Sequence, residues 1–286
     1  MQFVLISGLS GSGKSIALKA LEDSAYYVVD NLPASLLPQL VATLHGGGYQ
    51  RVAVAIDVRS GGSHATLPQQ IEPLRKLVDD LRFIFLEARD DILLARFSET
   101  RRRHPLAEGE ISLSEAIQRE RETLEKISML AYRIDTSDLQ PNMLRAWVRE
   151  FIEAKAGSNL SLSFQSFGFK YGIPLDADFV FDVRCLPNPY YNPALRNLTG
   201  KDAPVAAYLE QSADVIRMVE DIRQFITNWL PGFIHDDRNY LAVAIGCTGG
   251  QHRSVYVAER LATGFRDLMP VLVRHRSAAR RASDQH

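Results

Sequence analysis

The residues near the N-terminus that could do chemistry form a glycine-rich loop ending in a lysine and a serine. They are Gly8, Leu9, Ser10, Gly11, Ser12, Gly13, Lys14 and Ser15. In the pattern Gly-x-x-x-x-Gly-Lys-Ser, the glycines let successive backbone N–H groups point inward and cradle phosphate oxygens. The lysine reaches the outer phosphates, and the serine hydroxyl is a ligand of Mg²⁺. We therefore predict binding of a nucleoside triphosphate with Mg²⁺; a flexible Gly/Ser turn is the alternative.

Such a loop also needs a carboxylate at the end of a neighbouring strand to hold the water shell of the magnesium ion. Asp57 ends the apolar run at residues 52–56. We predict that it acts with Lys14 in catalysis and with Ser15 in metal binding. Asp30 ends another apolar run and is the alternative, and either aspartate could instead cap a helix. The better strand pattern favours Asp57.

Three consecutive arginines, Arg101, Arg102 and Arg103, follow a predicted helix and precede His104. Nucleotide kinases place a mobile, arginine-rich lid in this region, where guanidinium groups grip phosphates. The alternative is a solvated helix end whose cations complement the helix dipole.

The C-terminal half contains a second predicted strand, glycine loop and helix. Amides in such a loop and the dipole of the following helix attract anions, so we predict a phosphomonoester site after the strand at residues 240–245. Its members are Cys247, Thr248, Gly249, Gly250, His252 and Arg253. Asp182 and Arg184, which end another predicted strand, would lie at the same sheet edge if the two strands are parallel neighbours. Asp182 is predicted to hold a hydroxyl or ammonium group; a buried ion pair is the alternative.

This second loop also satisfies Cys-x5-Arg-Ser, the pattern of cysteine phosphatases, in which a thiolate of low pKa attacks phosphorus. However, Gly246 precedes Cys247 where those enzymes usually have histidine, and the sequence shows no evident general-acid loop. Binding, phosphatase chemistry and a structural turn are three open interpretations, of which binding is favoured.

Arginines concentrate at the C-terminal end of a chain whose charges otherwise balance. The 33 Lys+Arg and 34 Asp+Glu leave a net charge of −1, so affinity for nucleic acid requires a local patch. The predicted RNA-binding patch consists of Arg274, Arg276, Arg280 and Arg281. Clustered arginines pair with phosphates, whereas a frayed, solubilising tail is the alternative.

Elements that would position these loops alternate along the chain. Strands are predicted at residues 3–7, 26–30, 52–57, 83–88 and 133–136. Helices are predicted near residues 14–24, 34–44, 67–80, 91–103, 113–130 and 142–155. This alternation predicts a parallel sheet with crossover helices, and the continuous apolar strands fit a sheet covered on both faces.

A small, polar segment at residues 154–160 is the predicted boundary between two domains of this 286-residue chain. Residues 1–155 would form a P-loop kinase-like α/β domain, and residues 160–286 a smaller α/β domain. Strands are predicted there at residues 160–164, 179–183, 240–246 and 271–274, and helices at 205–229 and 253–268. The two cysteines favour a reducing cytosol, and the sequence shows no signal peptide or membrane span. We expect a cytoplasmic protein without a membrane partner.

Longer strings give the chain a resemblance to a known family over nearly its full length. They lie at residues 8–15, 30–33, 57–60, 100–106, 166–174, 181–184, 187–189 and 246–255. These strings resemble both halves of the RapZ/YvcJ family of nucleotide-binding proteins. Two features depart from the RNase-adapter members: Ser277-Ala278-Ala279 dilutes the basic tail, and Tyr190 stands where those members can carry histidine.

The resemblance implies a regulatory protein with weak ATPase and GTPase activity. It makes residues 8–15 the ATP loop and Asp57, Val58, Arg59 and Ser60 the stretch assigned to GTP. In the RNase-adapter members, the C-terminal domain binds glucosamine-6-phosphate and a small regulatory RNA, which is presented to ribonuclease E. We also expect a homo-oligomer. The alternative from another class is a P-loop small-molecule kinase.

Overall fold

The computed structural model describes residues 1–57, 67–107, 111–154, 160–236 and 238–277. Contacts between residues divide the chain into two compact units, Met1–Glu153 and Ala154–His286. Each unit contains its own parallel sheet. The predicted α/β fold class, an N-terminal parallel sheet with flanking helices followed by a second α/β domain, is confirmed.

The first unit is built on five parallel strands in the order β2-β3-β1-β4-β5. The strands are β1 Gln2–Gly8, β2 Tyr27–Val29, β3 Arg51–Ala55, β4 Asp80–Glu87 and β5 Tyr132–Asp135. The apolar residues of β1 from Phe3 to Ile6 are completely buried, as expected for the central strand of a sheet covered on both faces. The glycine loop therefore follows the central strand, at the carboxyl edge where α/β sheets bind ligands.

Six helices flank this sheet in the described residues. They are α1 Lys14–Glu22, α2 Leu37–Gly46, α3 Leu67–Leu77, α4 Asp90–Thr100, α5 Leu113–Ser128 and α6 Pro141–Glu153. Helix α5 begins with a reciprocal capping box between Ser112 and Glu115, which satisfies backbone donors of its first turn. A 3-10 turn over Ala34–Leu36 precedes α2, so the single helix predicted from residue 34 is wrong at its start.

Two element boundaries in this unit differ from the predictions, because charged residues stand at both and give no clear apolar pattern. The helix predicted to reach residue 80 ends at Leu77, and β4 already begins at Asp80. Arg82 is buried in β4 with its Nε 2.8 Å from Asp80 Oδ2, so the two charges neutralise each other inside a strand. Helix α4 ends at Thr100 because Arg101 adopts a left-handed φ of 51°.

The second unit has four parallel strands in the order β7-β8-β6-β9. Its elements are β6 Ser161–Gly168, β7 Phe179–Asp182, α7 Ala203–Glu210, α8 Ala213–His235, β8 Tyr240–Cys247, α9 Arg253–Phe265 and β9 Val271–His275. The single helix predicted over residues 205–229 is wrong. Ser212 takes extended dihedrals, φ −94° and ψ 120°, and starts a new helix there, as an N-cap serine does. In the described ranges, no helix has the length and apolar character of a membrane span.

Candidate functional site

The glycine loop connects β1 to α1 and turns the chain directly into a helix N-terminus. Gly13 caps α1 with a left-handed φ of 105°, a conformation that residues with a Cβ rarely adopt. The first amides of α1 therefore follow the glycine loop directly. A helix N-terminus of this kind attracts phosphate through its amides and its dipole.

Lys14, the first residue of α1, lies across the loop. Its Nζ donates to the carbonyl oxygens of Gly8 at 2.6 Å and Leu9 at 3.3 Å, and lies 4.0 Å from Asp57 Oδ2. Both charged side chains are only 12% exposed. An ammonium and a carboxylate therefore meet at the mouth of the loop.

Side chains outside the loop hold two further loop carbonyls. Arg96 Nη1 donates to Gly11 O at 3.0 Å, and Thr136 Oγ1 donates to Ser12 O at 2.9 Å. With these carbonyls engaged, the loop can present amides to a ligand. In the described part of the chain, no hydrogen bond uses the amides of Gly11, Gly13, Lys14 or Ser15. The hydroxyl of Ser12 is buried and also lacks a partner there.

Ser10 has a different role from the one predicted by the motif. Its N–H and its hydroxyl both donate to Glu120, each at 2.8 Å. Neither donor is available to a phosphate, so Ser10 shapes the loop. Sequence reasoning missed Glu120 because it is 110 residues away in a helix of charged residues.

Of the two candidate aspartates, the structure brings Asp57 and not Asp30 to the loop lysine. Asp30 is exposed and accepts a hydrogen bond from the N–H of its neighbour Asn31. Ser15 is exposed in the first turn of α1. A hydroxyl and a carboxylate are hard oxygen donors of the type that Mg²⁺ prefers, so Ser15 and Asp57 fit such an ion.

The arginine-rich segment lies beyond the end of α4, so the prediction of a helix reaching residue 103 is wrong. Arg101, Arg102 and Arg103 are exposed, and Arg103 Nε donates to Ala107 O at 2.8 Å. The residue that follows them, His104, is buried and only 3% exposed. The segment is thus anchored by its histidine while its guanidinium groups face solvent.

The second loop connects β8 to α9, and β7 is the parallel neighbour of β8, as predicted. His252 caps α9, and its Nε2 lies 3.2 Å from Leu195 O. Gly250 has a left-handed φ of 70°, and a Cβ there would lie 2.1 Å from Ser277 Oγ. Ser277 is 8% exposed, and its hydroxyl lacks a hydrogen-bond partner in the described residues. A buried donor of this kind fits a ligand at the loop.

Arg253, the first residue of α9, is buried and reaches across to the chain after β7. Its Nη1 donates to the carbonyl oxygens of Arg184 at 2.7 Å and Leu186 at 3.1 Å. Its Nη2 lies 3.3 Å from Thr248 Oγ1. Its Nε is buried without a hydrogen bond, so one guanidinium both ties two segments together and retains a donor.

Cys247 lies at the base of this loop and is 3% exposed. Its Sγ accepts a hydrogen bond from Gly250 N–H at 3.2 Å and is 3.2 Å from Ser254 Oγ. Burial raises the pKa of the thiol, but the hydrogen bonds from Ser254 and Gly250 and the charge of Arg253 outweigh it and lower the pKa. These contacts favour ionisation of the thiol relative to an ordinary cysteine, but the sulfur is buried.

A cavity of about 630 Å³ opens at this loop. It is lined by all six loop residues predicted for a phosphomonoester site. Sequence reasoning missed further lining residues, among them Lys170, Tyr171, Lys201, His275 and Ser277. Lys170 adds positive charge, whereas Lys201 is paired with Glu259, its Nζ lying 3.3 Å from Glu259 Oε1. Backbone hydrogen bonds hold the segments of both lysines next to the loop. Lys170 N donates to Thr248 O, and Gly200 N donates to Gln251 O.

Asp182 and Arg184 do not line this cavity. They form an exposed ion pair, with Arg184 Nη2 2.7 Å from Asp182 Oδ2 and side chains 50% and 44% exposed. The hydrogen bond from Arg184 lowers the pKa of the Asp182 carboxyl. An ion pair was the alternative to ligand binding in the sequence analysis. The structure shows such a pair, but its side chains are exposed and not buried.

Two of the four predicted RNA-binding arginines are buried. Arg274 lies in β9 and is 3% exposed, and Arg276 is 7% exposed with its Nη1 3.7 Å from Asp176 Oδ1. The sheet and Asp176 thus enclose two of the four side chains that were predicted to bind RNA. Arg280 and Arg281 lie outside the described residues, as do Val58, Arg59 and Ser60.

Comparisons with protein families match the chain over nearly its full length. Residues 1–156 match the RapZ-like N-terminal domain, and residues 160–279 match the RapZ C-terminal domain. The chain belongs to the RapZ family. Relatives described as nucleotide-binding proteins include one from Azoarcus sp. (strain BH72), 68% identical over 99% of this chain and 97% of its own length. Another, from Nitrosomonas europaea, is 58% identical over 98% of this chain and 97% of its own length.

Two solved structures that this RapZ-family chain resembles each match about half of it. The match to a sugar kinase from Janibacter sp. covers 54% of this chain and 95% of the kinase, with 16% sequence identity and a TM-score of 0.38. The match to a shikimate kinase from Bacteroides thetaiotaomicron covers 53% of this chain and 98% of that kinase, with the same sequence identity and TM-score.

Proposed function

We propose that this chain is a cytoplasmic, regulatory protein that binds ATP or GTP with Mg²⁺ at residues 8–15 and hydrolyses them slowly. The observation that carries the proposal is the loop itself. Side chains donate hydrogen bonds to its carbonyl oxygens. The amides of Gly11, Gly13, Lys14 and Ser15, at the N-terminus of α1, make no hydrogen bond in the described residues. Amides arranged in this way bind polyphosphates. The description of its relatives as nucleotide-binding proteins supports the same conclusion.

Within this site, each residue has a separable task. Lys14 would move from the Gly8 and Leu9 carbonyls to the outer phosphates and orient them. Ser15 and Asp57 would hold Mg²⁺, which when bound supplies charge neutralisation of the phosphates. By family resemblance, Asp57 to Ser60 would contribute to GTP binding.

Slow turnover distinguishes this proposal from a P-loop small-molecule kinase, which the exposed arginines at residues 101–103 favour. A kinase with its acceptor turns over at about 1–100 s⁻¹. We expect release of phosphate from ATP and GTP well below that range, unchanged by a panel of sugars, nucleosides and amino acids. Rapid ADP release that depends on an acceptor would replace the regulatory proposal with the kinase.

For the C-terminal cavity we propose a phosphometabolite similar to glucosamine-6-phosphate. The buried Ser277 hydroxyl and Arg253 Nε, both without partners in the described residues, support an anionic ligand, as does Lys170. A ligand at 100 times its Kd raises the free energy of unfolding by about 2.7 kcal/mol. Melting curves with glucosamine-6-phosphate, glucosamine and inorganic phosphate test this. Stabilisation by the sugar phosphate alone supports the proposal, and an unchanged Tm with all three contradicts it.

We further propose, by family resemblance, that the protein is a homo-oligomer that binds a small regulatory RNA and delivers it to ribonuclease E. Because Arg274 and Arg276 are buried, the predicted RNA contact from the tail reduces to Arg280 and Arg281. Binding through phosphates weakens steeply with salt. Equal retention on RNA by wild type and an Arg280→Ala/Arg281→Ala variant would remove the tail from this proposal.

A further inference from the structure

A buried carboxylate lies directly behind the glycine loop of the first unit. Glu120 in α5 has no exposed surface. Its Oε2 accepts the N–H of Ser10, and its Oε1 accepts the Ser10 hydroxyl, both at 2.8 Å. One loop residue thus engages both oxygens of the carboxylate. Two hydrogen bonds to one rigid group fix the position and orientation of the Ser10 peptide more tightly than one bond could.

The same carboxylate is held from its other side by the segment that follows α4. His104 Nε2 lies 3.1 Å from Glu120 Oε2, and both side chains are completely buried. His104 Nδ1 accepts the N–H of Leu106 at 3.1 Å. A neutral imidazole with Nδ1 as acceptor carries its hydrogen on Nε2, so His104 donates to Glu120. Three donors therefore converge on this carboxylate.

Glu120 is held as an anion. Burial raises the pKa of its carboxyl, but the hydrogen bond from His104, the charge of Lys14 and the two donors of Ser10 bring the pKa below its ordinary value. A buried carboxylate is costly unless hydrogen bonds satisfy it. Here the satisfying donors come from the loop and from the segment after α4. With no exposed surface, the carboxylate cannot touch a bound nucleotide.

We propose that Glu120 is a positioning residue for nucleotide binding, acting through Ser10. By fixing the Ser10 peptide, it sets where the next residues begin and hence where the amides of Gly11 and Gly13 point. The proposal rests on residues 8–15 being the nucleotide site. It assigns part of the nucleotide affinity to a side chain that makes no contact with the ligand.

Calorimetric titration with ATP and Mg²⁺ of the full chain and its variants tests this. Glu120→Ala removes both anchors of Ser10, and we expect affinity to fall about tenfold. Glu120→Gln keeps an acceptor for the Ser10 N–H and an NH₂ group that can meet its hydroxyl, so affinity should stay within about threefold of wild type. The control Glu125→Ala removes an exposed carboxylate from the same helix and should bind as wild type.

Ser10→Ala provides a variant that leaves Glu120 in place if Glu120→Ala fails to fold by circular dichroism. It loses one anchor, and affinity should fall about threefold. Wild-type affinity in both Ser10→Ala and Glu120→Ala would overturn the inference. So would a loss in Glu120→Gln as large as that in Glu120→Ala, because charge and not positioning would then be responsible. Lys14→Ala separates the two proposals: if it binds normally, the nucleotide site itself is misassigned; if it alone loses binding, only the role of Glu120 fails.

Discussion

The two glycine loops of this chain share a local plan but differ in what their side chains contact. Each follows a strand of a parallel sheet and leads into a helix whose first two residues are a cation and a serine, Lys14-Ser15 and Arg253-Ser254. Ser15 is exposed, whereas Ser254 is completely buried against Cys247 Sγ. The first serine can therefore serve as a metal ligand, and the second cannot.

The cations Lys14 and Arg253 also differ in the groups that they contact. Lys14 bonds to carbonyls of its own loop and lies beside the carboxylate of Asp57. Arg253 donates to the carbonyls of Arg184 and Leu186, outside its loop, and its Nη2 also lies 3.3 Å from Thr248 Oγ1 within it. Among the described residues, those that line its cavity include no carboxylate. We therefore propose a metal-bound polyphosphate for the first loop and a single phosphate for the second, although both share one strand–loop–helix plan. The distinction lies in the surroundings of each loop and not in its motif.

Removal of the first cation should have the largest effect. Lys14→Ala should lower the affinity for a fluorescent ATP analogue about 100-fold, because charge-assisted hydrogen bonds to phosphate are lost. Titration by fluorescence measures it, with Lys19→Ala as the control, since Lys19 is exposed in the same helix. If Lys14→Ala and Lys19→Ala bind equally, the first loop is not the polyphosphate site.

Removal of the second cation should affect ligand and stability together. Arg253→Ala should weaken glucosamine-6-phosphate binding about 30-fold and lower the free energy of unfolding by about 2 kcal/mol, because two carbonyls lose their donor. Urea denaturation with and without the sugar phosphate measures both, and Arg260→Ala, exposed in the same helix, is the control. A variant that loses stability but keeps the full shift with ligand would limit Arg253 to a structural role.

The carboxylate is the third point of difference between the loops. Asp57→Asn should reduce the gain in ATP affinity that Mg²⁺ provides by about tenfold, with little change in its absence. Titrations with Mg²⁺ and with a chelator give the two affinities, and Asp30→Asn serves as the matched control. A larger effect of Asp30→Asn than of Asp57→Asn would reverse the assignment.

The smallest effect is expected when the buried thiol of Cys247 is replaced. Wild type and Cys247→Ser should hydrolyse p-nitrophenyl phosphate at the same background rate, because the sulfur is buried and the lining residues that the structure describes offer no carboxylic acid for the leaving group. Release of p-nitrophenol by wild type but not by Cys247→Ser would revive the phosphatase interpretation of the second loop.

The sequence predicted the parallel sheets and both glycine loops because strand, glycine and helix signals are local. It could not predict Glu120 at Ser10, since that contact joins residues far apart and Glu120 resembles its exposed neighbours. Nor could it predict that Arg276 is buried, because charge runs usually lie at the surface and its partner Asp176 comes from elsewhere in the fold. Lys201 was missed for the same reason: the close approach of residue 200 to the second loop is a tertiary contact.

Nucleotide binding at the first loop, with Mg²⁺, underlies the function proposed for this chain. Isothermal titration calorimetry of the folded, full-length protein with ATP and with GTP tests it most directly. We expect saturable heat for at least one nucleotide, with weaker binding once a chelator removes Mg²⁺. Folded protein that releases or absorbs no heat with either nucleotide would contradict it.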